Sequence, residues 1–371
     1  MTAPLTLALY VVRQFAVIVL ATLAALTGVV ALFDFIDLLR RATGHPDASL
    51  GLVSAIALLR LPYLGLQVLP FAVLLGGMIS FWRLTRSSEL VVARAAGVSA
   101  WGFLAGPVLT AAALGAIATT AISPLSSVMF SRANQMIDRY LNTGGGPVAL
   151  NGGQLWLRQA DRTPSGTEGV AILHAYGVAV RGRTLTSLQT TVFRLGPDGA
   201  FLSRIEAASA RLTKGAWTLT AARAMVRDAS PAPPRVMRLP TDLTVRRIEE
   251  SFAPPDTLSV WQLPGFIALL RRSGFSSVRD RLHFQTLLAL PLLTATMALV
   301  AAGFSMRPTR RGGVARTLGS GVAAGFMLFM IAKLAEQFGD SGAVPVLLAA
   351  WAPAASGLML ALALLLHMED G

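Results

Sequence analysis

The chain has 371 residues, 54% of them hydrophobic and only 14% charged, with a formal net charge of +13. Together with a mean hydropathy of +0.60, this is the balance of a polytopic membrane protein and excludes an ordinary soluble globular domain. The absence of cysteine excludes disulfides, thiolate metal centres and thiol nucleophiles, and suits an insert in an oxidising compartment.

Charged residues mark off six uncharged apolar runs, at 14–33, 61–82, 95–131, 282–306, 317–332 and 341–368. A helix crosses a hydrocarbon core of about 30 Å with about 20 apolar residues. Five runs suffice unaided, and the run at 317–332 reaches about Ala335 if Lys333 snorkels to the interface. The first run has only Arg13 ahead of it and is longer than the core of a leader peptide, so it reads as a membrane helix. Pro62, Pro70, Pro107 and Pro291 are expected to kink their spans. The small-residue spacings Gly102/Gly106, Ala111/Gly115 and Gly321/Gly325 allow close helix approach.

Arginine in the short loops orients the bundle. Loop 83–98 carries Arg83, Arg86 and Arg94 against Glu89, and loop 307–316 carries Arg307, Arg310, Arg311 and Arg316 with no acid. Loop 336–345 has Glu336 and Asp340 and no base. Both termini are therefore expected in the cytoplasm, with the long segment between spans three and four outside. Arg40 and Arg41, and the arginines at 271, 272, 279 and 281, run mildly against this; long segments cross largely regardless of charge.

That long segment changes period. The spacing Met129, Arg132, Gln135, Met136, Arg139 carries span three on as a helix to about Tyr140, where Asn142–Pro147 breaks it. Short β-type runs follow at Gln154–Arg158, Gly169–His174, Thr190–Leu195 and Ala216–Thr220, with an Asp198-Gly199 turn among them. They read as a β-sandwich, jelly roll or open barrel. The prolines at 231–234 mark a turn or edge, and Pro254-Pro255 closes the region. Helical spacing then returns over 256–280, with Leu258, Trp261, Leu263, Phe266, Leu269 and Leu270 on one side. This predicts an amphipathic helix along the outer membrane face, the alternative being a helix packed on the β-region. Residues 124–283 carry a net +9 without any aromatic-plus-basic motif, so nucleic acid is discounted as a partner.

Catalytic motifs are missing. Neither lysine, Lys214 or Lys333, follows a glycine, so there is no phosphate-binding P-loop, and His45, His174, His283 and His367 lie in four separate segments. With almost no ionisable residue inside the spans, a coupled ion relay is disfavoured; an uphill transporter of this kind needs an outside motor. Loop 86–97, Arg-Ser-Ser-Glu-Leu-Val-Val-Ala-Arg-Ala-Ala-Gly, suits one. Ser87 or Ser88 can cap a helix, Glu89 sits in its favourable first turn, Leu90 adds an apolar side, Arg94 ends it positively and Gly97 stops it. An ATPase-coupling helix and an ordinary amphipathic loop helix both fit that pattern.

The plan and this loop resemble the LptF/LptG permease family of lipopolysaccharide export. Further matches are Phe35-Ile-Asp37, Leu61-Pro62, Leu69-Pro70 and the stretch Phe304–Gly313; the Ser-Glu-Leu-Val-Val run looks more like LptG than LptF. The resemblance implies an α+β membrane protein: helices 1–3 with the coupling helix near 86–97 in residues 1–140, a periplasmic β-jellyroll-like domain at 141–255, and helices 4–6 in 256–371. It implies residence in the inner membrane of a Gram-negative cell. The partners implied are an LptB-like ATPase dimer, an LptF-like permease and an LptC-like protein, with lipopolysaccharide as cargo. No cofactor is implied on this chain, ATP and magnesium being used by the partner ATPase. Arg86, Ser88, Glu89, Leu90, Arg94 and Gly97 would contact that ATPase, and spans one and five, with Phe33 and Phe326, would border the lipid cavity. One departure stands out: Asp34 occupies a place where some members have a base. Phosphate contacts would then pass to Arg40, Arg41, Arg60, Arg132 or Arg139. Rival assignments are a permease for another envelope lipid or lipoprotein, the LptF-type paralogue, and an anchored scaffold, for which one span would suffice.

Overall fold

The computed structural model describes residues 5–43, 49–86, 100–140, 148–151, 154–161, 169–181, 184–213, 215–226, 233–241, 243–245, 248, 254–272, 276–305 and 314–369. In chain order come α1 (Leu5–Ala42), α2 (Leu50–Arg86) and α3 (Ala100–Ile117), which runs through a π turn (Ala118–Ile122) into α4 (Ser123–Tyr140). Then follow β1 (Val148–Asn151), β2 (Gln154–Asp161), β3 (Gly169–Arg181), β4 (Thr184–Leu195), β5 (Phe201–Thr213), β6 (Ala216–Val226) and β7 (Arg235–Pro240). The chain ends in α5 (Leu263–Arg272), α6 (Val278–Ser305), α7 (Val314–Asp340) and α8 (Val346–Glu369). Two compact units result: Met1–Leu141 with Pro255–Leu263 and Val278–Gly371, and Asn142–Pro254 with Pro264–Ser277.

The first unit holds six helices long and apolar enough to cross a membrane, counting α3 and α4 as one. The fifth runs unbroken past Lys333, which is salt-bridged to Glu336 at 2.8 Å one turn on. The inner members are α2 and α6, each with more than half of its span covered (61% and 67%). Lipid tails give apolar helices no hydrophobic reason to associate, so close packing must hold them. The small residues supply it within the chain. A side-chain carbon at Gly106 would lie 2.8 Å from Val12, one at Gly115 2.7 Å from the Pro291 backbone, and one at Gly325 would overlap Leu74.

Prolines in the spans leave carbonyls without their helical donor. Pro291 has no N–H to give Leu287 one turn earlier; Thr119 Oγ1, from the π turn, donates to that carbonyl at 2.8 Å. Pro124 likewise leaves the carbonyl of Thr120, which accepts Trp261 Nε1–H at 3.3 Å. In a membrane every orphaned carbonyl must find such a donor.

The second unit is a seven-stranded antiparallel sheet whose strands follow chain order from β1 to β7. It is the β-fold expected between spans three and four, connected as a simple meander. Asp198 and Gly199 turn β4 into β5: Gly199 adopts φ +79°, and the Asp198 carboxylate accepts the Ala200 N–H at 3.1 Å. The sheet rolls up so that β2 meets the end of β7, where Gln159 donates to Pro240 O at 3.2 Å and accepts from Thr241 Oγ1 at 2.8 Å. Alternate residues of each strand point inward around Trp217, which is fully buried.

Residues 256–280 depart from the expectation of a helix lying on the membrane. The segment divides: 255–263 belongs with the helices and 264–277 with the sheet. Leu270 and Phe266 of α5 join the core of the roll, so the apolar side of this helix is covered by protein.

Candidate functional site

The two least covered of the six spans are α1 and α7. Only 11% of the α1 span and 17% of the α7 span is covered. On α1, Val29, Leu32, Phe33 and Ile36 are exposed at helical spacing, and on α7 Met327, Ile331, Leu334 and Phe338 form a matching stripe. Phe33 and Phe326, singled out from the sequence, are 68% and 52% exposed on these two helices. Both helices flank α2. On one side the α1 backbone at Val19 closes on Gly76; on the other, α7 places Gly321 and Gly325 against Met78 and Leu74.

At the far end of α1 lie the charged groups. Arg60 of α2 reaches Asp34 of α1 at 3.1 Å, and its guanidinium sits 5.8 Å from the centroid of Phe130, which stacks on Tyr63. Asp34 is therefore neutralised from within the chain. Its second oxygen and Arg60 Nε are buried without a partner. One turn on, Asp37 holds both Arg40 at 3.0 Å and Arg41 at 2.7 Å, while the two arginine side chains stay largely exposed. Three guanidiniums thus gather on two carboxylates, leaving one positive charge over. Arg132 is exposed on α4; the Arg139 side chain lies outside the described residues.

Beside this cluster α2 and α7 part company. They touch through Phe71 and Phe329, 6.4 Å between centroids, and beyond that contact an open cleft of about 1050 Å³ lies between them. Its floor is apolar, with Leu290, Leu293 and Pro353; its rim carries Tyr63, Gln67, Asp256, His283, Lys333 and Glu336. His283 Nδ1 lies 3.5 Å from Asp256, and Gln67 donates to Tyr63 Oη at 2.6 Å. No sequence signal joins these rim residues, which come from separate helices and the Pro255–Leu263 segment. Among the described residues no group of three or more His, Asp or Glu side chains is placed to hold a metal ion.

Ser88, Glu89, Leu90, Arg94 and Gly97, expected from the sequence to meet an ATPase, lie outside the described residues. Arg86, the last residue of α2, places its guanidinium over the Trp82 ring at 5.5 Å.

A bundle of six spans with a rolled antiparallel insert defines a multi-pass membrane protein. The profile of the lipopolysaccharide export system permease LptF/LptG family matches residues 9–367, and the chain belongs to that family. It is similar to the lipopolysaccharide export system permease protein LptG of Escherichia coli strain K12, with 22% identity over 376 residues, 96% of this chain and 97% of the relative. LptG of Escherichia coli O6:H1 (strain CFT073) matches to the same extent.

Proposed function

We propose that this chain is the LptG-type permease subunit of an ATP-driven exporter that lifts lipopolysaccharide out of the inner membrane. The observation that carries this is the pair of uncovered apolar stripes on α1 and α7, either side of α2, in a chain of this family. A second, LptF-like chain placed against those stripes would enclose a cavity walled by apolar side chains. The exposed guanidiniums of Arg40 and Arg41 stand at the end of α1, where they can meet lipid phosphates; Arg60 serves first to neutralise Asp34.

Energetics require the motor. Moving acyl chains into water costs about 0.8 kcal/mol per CH₂, so one twelve-carbon chain costs on the order of 10 kcal/mol. Shielding along the route lowers that cost, and an LptB-like ATPase dimer docked on residues 86–97 supplies the remainder. The β-unit, periplasmic with both termini cytoplasmic, hands the lipid to an LptC-like protein. The arginine-rich loops 83–98 and 307–316 support this orientation.

Purification of the tagged chain from its native host in mild detergent, with mass spectrometry of what co-elutes, tests the proposal. Recovery of a P-loop ATPase, a second six-span chain and bound lipopolysaccharide is the expected result; a lone chain carrying ordinary phospholipid would overturn it. Glu89→Lys is expected to cut ATPase recovery about tenfold while changing stability by less than about 0.5 kcal/mol, since the sequence places it in the first turn of a surface helix, where a charge reversal is cheap.

A further inference from the structure

The outer face of the β-roll treats its arginines in two ways. Towards one end Arg204 is salt-bridged to Glu206 and lies 5.7 Å from the Phe193 ring centroid. Towards the other end a row crosses four strands as Thr186, Arg211, Thr218 and Arg238, each the register partner of the next. The neighbouring row is Leu188, Ser209 and Thr220. These residues line an open cleft of about 1160 Å³. Among its described lining residues there is no carboxylate. Arg211 and Arg238 are both exposed, and neither is paired with an acid among the described residues.

The backbone bends beside this cleft. Gly177 in β3, Gln189 in β4 and Ala221 in β6 all take positive φ, at 57°, 50° and 52°. The pairing register shifts around Gly177 and around Ala221. Left-handed backbone at Gln and Ala is uncommon, and bulges of this kind bend strands and re-aim side chains.

A solvated sheet face ordinarily interleaves the two signs of charge across strands, because like charges without a counter-charge are unfavourable. Here two guanidiniums stand either side of Thr218 among five hydroxyls and no acid. Guanidinium pairs bidentately with phosphate, and hydroxyls complete the bonding to phosphate and sugar oxygens. Among its described lining residues there is no aromatic ring on which a nucleotide base would stack.

We propose that this cleft binds the phosphorylated sugar headgroup of the exported glycolipid through Arg211 and Arg238. The proposal rests on the export function above and adds a headgroup site on the β-unit to the arginines of the helical unit.

The test uses the full chain in its native host with the photo-crosslinking residue p-benzoylphenylalanine in place of Leu188, which is 64% exposed at the cleft wall. Crosslinking to lipopolysaccharide is expected, with a drop of about tenfold or more in Arg211→Gln/Arg238→Gln, given the strength of charge-assisted bonds. Arg204→Gln, a control at the paired end, should leave the yield unchanged. With purified chain, lipopolysaccharide should suppress crosslinking of a labelled lipopolysaccharide probe, and its dephosphorylated form should do so far less. A yield indifferent to the double substitution overturns the site, as does equal competition by the dephosphorylated lipid. A crosslink to an acidic protein segment, or protection by inorganic phosphate with no lipid adduct, overturns it too. With both arginines intact, no adduct while lipopolysaccharide still co-purifies would sink the cleft alone; absence of both adduct and co-purifying lipopolysaccharide would sink the export function with it. The substituted arginines are exposed, and an unchanged melting curve confirms that the variants fold.

Discussion

The helical unit and the β-roll solve opposite packing problems. In the roll, water drives large side chains inward, and Trp217, Leu155, Leu157, Leu173 and Leu212 are essentially buried. In the helical unit large apolar side chains face both ways: Phe15 and Phe81 are buried, Phe33, Leu109 and Met359 point outward, and glycines close the contacts between helices. The difference teaches that apolarity separates inside from outside in the roll but not in the helical unit, whose surface is as apolar as its core. Exposed apolar stripes on α1 and α7 are therefore no defect of packing; they are the faces left for lipid or a partner chain.

Substitutions can break that contrast. Trp217→Ala should cost about 3–5 kcal/mol, because it leaves the largest buried side chain of the roll as a cavity; denaturant unfolding of the full chain, followed by a probe in the β-unit, measures it. Gly115→Val should cost about 3 kcal/mol in the helical unit, since its added carbons meet the Pro291 backbone, which cannot move aside as a flexible side chain can. A melting temperature in detergent that does not change would show that glycine contacts do not hold this bundle.

A subtler comparison concerns the orphaned carbonyl. Thr119→Val should cost about 1–3 kcal/mol by leaving Leu287 O buried and unpaired. In a Pro291→Ala background, where residue 291 regains an N–H, the same substitution should cost far less; additive effects in that double-mutant cycle would refute the link. Smallest in stability are Phe33→Ala and Phe326→Ala, within about 0.5 kcal/mol each. Their expected effect is instead on lipopolysaccharide recovered with the complex, and unaltered recovery would remove the stripes from the export route.

Much was legible from local pattern. Uncharged runs placed all six spans, and alternation placed β2, β3, β4 and β6; the Asp198-Gly199 turn is where β4 gives way to β5. The spacing through Arg139 carried α4 to Tyr140. Other features had no local signal. The amphipathic pattern of α5 is the same whether a membrane or a sheet covers it, and only the fold assigns Leu270 to the core of the roll. Asp34 looked like a departure from a basic family position, and nothing near it in sequence shows that Arg60, from the next helix, neutralises it.

Residue order alone sufficed for the number of spans, the inserted β-region and the absence of a P-loop, because hydrocarbon thickness, strand alternation and phosphate-binding loops impose short-range rules. Which donors satisfy Leu287 and Thr120, which arginines keep an acid and which stand bare, and where α2 and α7 separate into a cleft were decided by tertiary structure. Each depends on groups far apart in the chain, such as Thr119 with Leu287 or Arg211 with Arg238, whose meeting is set by how helices cross and strands register rather than by any pattern within one segment.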